Sequence, residues 1–130
     1  LFGLSADVLI PAALSDSITK ENVDKITVKI VVEAANIPMT PKIEDALYKR
    51  GVLVVPDFVA NAGGVISSYA EYRGYNPKQM FRLIERKIKR NTKMVLERAE
   101  AEGIKPRDVA LKIAQERVKE AMAEKECAEC

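Results

Sequence analysis

The chain has 130 residues, 48% of them apolar, and a formal charge of +2, which suits one globular domain with one core rather than a disordered segment. The near-balanced charge gives no global field for nucleic acid. No apolar run approaches the roughly 20 residues of a membrane helix, and no basic stretch precedes the apolar start as it would in a signal peptide.

The opening Leu1-Phe2-Gly3-Leu4 lacks an initiator methionine and reads as the start of a processed, trimmed or incomplete chain. Asp7-Val8-Leu9-Ile10-Pro11 is the first strand-like run, Lys29-Ile30-Val31-Val32-Glu33-Ala34 the second and Val52-Leu53-Val54-Val55-Pro56 the third. All three are apolar on successive positions and rich in β-branched residues, the pattern of parallel strands buried on both faces. Between the first two, Thr19 is expected to cap a short helix carrying Val23 and Ile26. Between the second and third, Thr40-Pro41 supplies a capping hydroxyl and a proline at the first helical position. That helix carries Ile43, Ala46 and Leu47, and Gly51 stops it after Lys49-Arg50.

The second half reads as helices. Asn61-Ala62-Gly63-Gly64 opens one with Val65, Ile66, Ser68, Tyr69 and Tyr72. Asn76-Pro77-x-Gln79 is a capping box for the next. Met80, Ile84, Ile88, Val95 and Ala99 line one of its faces, and Gly103 ends it. Pro106 starts the last helix, whose buried side is expected to hold Val109, Ile113, Ala114, Val118, Ala121 and Met122. Arg82, Arg86, Lys87, Lys89, Arg90 and Lys93 form a basic cluster. Without interleaved aromatics it reads as a solvated helix face, not a nucleic-acid site.

There is no histidine, and the only cysteines are Cys127 and Cys130. The pair makes a terminal C-x-x-C, which reads as a redox pair, as half a zinc site or as a frayed, exposed tail. A disulfide framework, a histidine-based triad and a histidine metal site are excluded. Low cysteine use fits a reducing cytoplasm.

The elements describe an α/β fold: a partial Rossmann-like, doubly wound domain with three parallel strands flanked by helices, followed by C-terminal helices. Residues 1–76 hold the βαβαβ half and the following helix, and residues 77–130 the C-terminal helices. An unusual segment follows each strand: Pro11-Ala12-Ala13-Leu14, Glu33-Ala34-Ala35-Asn36, and Pro56 through Gly64. Ligands of open α/β sheets bind beyond the carboxyl ends of the strands, so the three segments should face one crevice. Small alanines admit a flat ring or a ribose. Asn36 and Asn61 each offer an amide donor and a carbonyl acceptor, as a carboxamide or ribose hydroxyl requires. Gly63-Gly64 opens a helix whose amino end favours anions. Taken singly, each segment is as readily explained by turns and caps.

Pro11-Ala12-Ala13, then Lys29 through Asn36, Pro38-x-Thr40-Pro41, Arg50 through Asp57, Ala60-Asn61-Ala62-Gly63-Gly64-Val65 and Ser68-Tyr69-x-Glu71 together resemble glutamate dehydrogenase, in the glutamate/leucine/phenylalanine/valine dehydrogenase family. Arg107-Asp108-Val109-Ala110 and Arg117-Val118-x-x-Ala121-Met122 resemble its closing helices. The resemblance implies the C-terminal part of the nucleotide-binding domain of an NAD- or NADP-dependent enzyme that deaminates glutamate to 2-oxoglutarate. It implies that Ala12 and Ala13 pass the cofactor ribose, that Asn36 and Asn61 meet its nicotinamide half, and that Val65 and Ser68 meet the substrate side chain, with Ser68 bonding the distal carboxylate. The catalytic lysine and aspartate and the glycine-rich turn of the family have no match here. The chain is therefore expected to be inactive without an amino-terminal part and to belong to a homo-oligomer. A separately encoded subunit and a non-catalytic interaction module are the alternatives. Ile37 stands where the family usually has glycine; if that position takes a positive φ, isoleucine is strained there.

Overall fold

A computed structural model describes residues 2–128. Three short parallel strands, β1 (Val8–Leu9), β2 (Ile30–Val32) and β3 (Leu53–Val55), form one sheet in that order. Val8 pairs with Ile30, and Val31 and Val32 with Val54 and Val55. Five helices follow the first two strands: α1 (Pro41–Lys49), α2 (Asp57–Ala60), α3 (Gly63–Tyr72), α4 (Pro77–Glu102) and α5 (Pro106–Ala128). The expected parallel order holds.

Strand alternation puts neighbouring valines on opposite sides of the sheet, and two cores result. Val31 and Val54 join Ile18, Val23 and Ile26 from the β1–β2 connection and Ile43 and Leu47 from α1. Val55 and, partly, Val32 pack instead with Val59 of α2, Val95 and Ala99 of α4, and Val109, Ala110 and Ile113 of α5. Both faces of the sheet are thus covered at β2 and β3. At β1 they are not: Val8 and Ile10 are exposed. The expectation of strands buried on both faces fails there because neither core reaches over β1: only Leu9 packs, in part, against the first.

The β1–β2 connection also departs from expectation. Instead of a helix capped by Thr19 it holds only the 3₁₀ turn Val23–Lys25. Asn22 turns the chain back on itself, accepting the Thr19 N–H at 2.9 Å and donating to the Ser17 carbonyl at 2.9 Å. Such local side-chain bonds compete with a helix ladder. Arg50 adds bonds to the carbonyls of Val23 and Ile26.

The other boundaries follow local chemistry. Pro41 opens α1, though the Thr40 hydroxyl makes no capping bond. Gly51 follows at φ 78°, where a side chain would be strained. Asn76 and Gln79 form the reciprocal capping box of α4, both bonds at 3.0 Å, and Gly103 closes it in the left-handed region. Gly63 lets α3 approach α4, since a Cβ there would lie 3.3 Å from Ile84 Cγ2.

α5 is buried only at its start. Val109 and Ile113 are covered, but Ala114, Val118, Ala121 and Met122 are exposed, contrary to the expected buried side. Periodicity marks a stripe that can be buried, not one that the same domain covers. The basic residues of α4 are exposed or half-buried along the helix, with Lys89 on Glu85 at 2.6 Å and Lys93 on Glu97 at 3.7 Å. No described helix is long and apolar enough to cross a membrane. Cys130 and the Cys127 side chain lie outside the described residues.

Candidate functional site

The three segments that follow the strands meet. A groove of about 550 Å³ is lined by Ala13 and Ser15 after β1, by Ala34, Ala35 and Asn36 after β2, and by Asn61, Gly64 and Val65 after β3. Four of the six residues singled out from the sequence, Ala13, Asn36, Asn61 and Val65, therefore share one surface. Ala12 is exposed beside it, outside the lining. Ser68 is exposed one turn along α3 and donates to the Gly64 carbonyl at 3.3 Å.

The central feature is an amide pair. Asn61 Nδ2 donates to Asn36 Oδ1 at 2.6 Å. Asn61 does not cap α3, whose N-cap is Ala62. It ends α2 instead, its N–H donating to the Asp57 carbonyl at 2.7 Å. Among the described residues nothing else bonds Asn36 Nδ2 or Asn61 Oδ1. The pair therefore keeps one amide donor, Asn36 Nδ2, and one acceptor, Asn61 Oδ1, the two kinds of group that a carboxamide bonds.

The second segment is held in an unusual conformation. Ile37 has φ 47°, the strain foreseen for a β-branched residue at a glycine position. Both of its peptide groups are tied. Its N–H donates to Asp57 Oδ2 at 2.9 Å, and its carbonyl accepts the Asp16 N–H at 3.0 Å. Ser15 Oγ donates to the Asn36 carbonyl at 2.7 Å.

Beneath the groove lies a charge cluster that was not read from the sequence. Arg107, in the first turn of α5, bonds three carboxylates: Glu33 and Glu44 at 2.5 Å each and Asp57 at 3.1 Å. Its guanidinium carbon lies 5.7 Å from the Phe58 ring centroid, a cation–π distance. Glu33 and Glu44 are almost fully buried. Burial pushes the Glu33 carboxyl up to about 7 against the pull of Arg107 and the Asp57 N–H, with Glu44 and Asp57 adding repulsion. Burial also acts to raise the Asp57 carboxyl. Bonds from the Ile37 and Phe58 N–H groups and from Arg107 outweigh it and hold that carboxyl below its usual range. One visible signal for the cluster was Glu33 itself, a carboxylate between Val31-Val32 and Ala34-Ala35 in an otherwise apolar run.

The sequence model of the glutamate/leucine/phenylalanine/valine dehydrogenases matches residues 1–125. The chain belongs to this family. Within this dehydrogenase family, glutamate dehydrogenase of Aeropyrum pernix is 43% identical over 130 aligned residues, covering 92% of this chain and 31% of that protein. The NADP(+)-dependent glutamate dehydrogenase of Pyrobaculum calidifontis is 41% identical over 123 residues, covering 89% of this chain and 29% of that protein. The crystal structure of L-tryptophan dehydrogenase from Nostoc punctiforme superposes with a TM-score of 0.84 at 27% identity, covering 94% of this chain and 37% of that one. The chain spans about a third of the length of the curated dehydrogenases it matches. The fold is that of a Rossmann-like α/β dehydrogenase domain, in part.

Proposed function

We propose that the chain forms one wall of the cofactor and substrate cleft of an NAD- or NADP-dependent glutamate dehydrogenase, which oxidatively deaminates L-glutamate to 2-oxoglutarate and ammonia. The Asn36–Asn61 amide pair carries this reading. Its free donor and acceptor lie beyond the strand ends, match a nicotinamide carboxamide and are ready-made rather than assembled on binding. Ala12 and Ala13 would pass the ribose of the same cofactor. Bound there, a nicotinamide supplies the hydride acceptor for the substrate Cα.

Val65 and Ser68 would face the substrate side chain from α3. The fold does not choose that substrate, since a tryptophan dehydrogenase shares it. The hydroxyl of Ser68 is what favours glutamate in this reading. Its proton rests on the Gly64 carbonyl at a long 3.3 Å, so transfer of that bond to a carboxylate gives up little. The two glutamate dehydrogenases aligned over most of the chain support the same choice. The partners of the chain in this role are glutamate or 2-oxoglutarate, the domain that supplies the opposite wall, and further copies in a homo-oligomer.

The test is a chimera in which these residues replace the matching stretch of the Aeropyrum pernix enzyme. Glutamate-dependent reduction of NAD or NADP is the expected result. A folded chimera that oxidises tryptophan or an apolar amino acid in preference to glutamate defeats the substrate assignment. One that turns over nothing defeats the reading of the groove.

A further inference from the structure

The two asparagines are held by one residue that lies outside the groove lining. The Asp57 carboxylate accepts the Ile37 N–H at 2.9 Å, on the peptide that follows Asn36. The Asp57 carbonyl accepts the Asn61 N–H at 2.7 Å. Asp57 thus ties the backbones of both segments, and the side-chain bond between Asn36 and Asn61 spans the gap.

The tie on Ile37 opposes a strain. A β-branched residue at φ 47° relaxes toward ordinary backbone unless its neighbours hold it, and relaxation would rotate the Asn36–Ile37 peptide and carry Asn36 off Asn61. Asp57 can oppose this only if its own carboxylate stays in place. Besides Ile37, the Phe58 N–H and Arg107 bond that carboxylate, Arg107 to Oδ1 at 3.1 Å, while Glu33 Oε2 holds the Asp57 backbone by accepting its N–H at 2.8 Å. Arg107 is the one cation bonded to Glu33, Glu44 and Asp57 among the described residues. Without it, Glu33, Glu44 and Asp57 lose the only cation bonded to them among the described residues, and Asp57, the least buried of the three, is the one best placed to swing out.

We infer that Arg107 is a positioning residue of the groove: acting from α5 through Asp57, it fixes the Asn36–Ile37 peptide and so the Asn36–Asn61 amide pair. Its consequence for cofactor use rests on the reading of the groove as a nicotinamide site; its geometric content does not. Lysine is not equivalent here, because three carboxylates in three directions need the guanidinium fork.

The experiment has two parts. The first is NMR on the 130-residue chain with Arg107→Lys, Arg107→Met and, as control, Arg98→Met. Arg98 bonds Glu102 and Glu116 without touching the groove, so its loss also weakens the α4–α5 pair. With Arg107→Lys the Ile37 amide should exchange at least tenfold faster relative to the Val31 amide, and the side-chain amide signals of Asn36 and Asn61 should move. With Arg98→Met neither should change. If Arg107→Met does not fold, Arg107→Lys, which keeps the charge, decides. Unchanged Asn36, Ile37 and Asn61 signals in folded Arg107→Lys overturn the inference, as do equal changes in Arg98→Met. The second part measures KM in the chimera. Arg107→Lys should raise KM for NAD or NADP at least tenfold and leave KM for glutamate within about twofold; an unchanged cofactor KM beside altered Asn36, Ile37 and Asn61 signals overturns the nicotinamide reading, and one beside unchanged signals overturns the inference. A parent chimera with no turnover defeats the nicotinamide reading alone, and the NMR result still judges Arg107.

Discussion

Asp57 Oδ2 accepts the N–H of Ile37 at 2.9 Å, and that bond secures an isoleucine in the left-handed region at φ 47°. Ile37 is 59% exposed, so little packing recompenses the strained backbone. Left-handed conformations cost L-residues roughly 1–2 kcal/mol, while glycine adds a smaller unfolded-state entropy. Ile37→Gly should therefore stabilise the chain by about 1 kcal/mol. A higher urea midpoint at unchanged slope is the expected readout; a lower one would show that the isoleucine side chain contributes more than its exposure suggests.

Stability should also respond to pH through Glu33. In the unfolded chain this carboxyl titrates near 4.5; in the folded chain it titrates at about 7. Between these values the folded state holds the extra proton, so stability from this group is fully present below 4.5 and is lost as pH rises through 7. The size is on the order of 3 kcal/mol. Asp57 acts in the opposite sense, its depressed carboxyl adding stability above about 3.8 that is lost as pH falls further. Chemical denaturation at pH 5 and pH 8 should show the decline, and Glu33→Gln, which mimics the protonated form, should flatten it. An equal slope in that variant would place the titration elsewhere.

Asn61→Ala separates the groove from the fold. Its side chain bonds Asn36 and caps nothing. Loss of one partly exposed hydrogen bond should cost no more than about 1 kcal/mol of stability. In the chimera the same change should raise the KM for NAD or NADP tenfold or more. A large stability loss with unaltered kinetics would make the pair structural only.

Ser68→Ala in the chimera should weaken glutamate use by roughly 1.5–3 kcal/mol, the value of a hydrogen bond to a charged group. Norvaline, which lacks the distal carboxylate, should be used as before. Equal effects on both substrates would remove Ser68 from specificity.

The 130-residue chain alone should show no dehydrogenase turnover with glutamate and either cofactor, because one wall cannot close a cleft around both reactants. Steady reduction of NAD or NADP by the purified chain would contradict this.

Local signals were read well from the sequence because their chemistry is local. Gly51 and Gly103 stop helices, Asn76 and Gln79 make their box, and the three strands pair in parallel. The strain at Ile37 was legible because a β-branched residue stood at a glycine position. The meeting of Ala13, Asn36, Asn61 and Val65 followed from topology alone, since each lies past a strand end. Other features depend on what lies opposite a residue, which periodicity does not encode. Val8 at the sheet edge and Val118 and Met122 on α5 carry the pattern of buried residues yet remain exposed. Thr19 looked like a helix cap, but Asn22 offered the backbone a tighter local turn. Arg107 was invisible as a site residue because its carboxylates come from three separate elements, and a charge beside a helix start ordinarily faces solvent.

The span of those ion pairs also sets an order of assembly. Arg107 reaches Glu44 across 63 positions of sequence and Glu33 across 74. As the chain leaves the ribosome, the strands and both asparagines emerge well before the guanidinium that neutralises the acids beneath them. Until α5 begins to form, the nascent sheet must keep those acids protonated or turned out to water. Contacts of such long sequence separation slow folding, so the groove should be among the last parts of the domain to set, after the layer around Val31, Val54 and Leu47 and together with the layer that α5 completes.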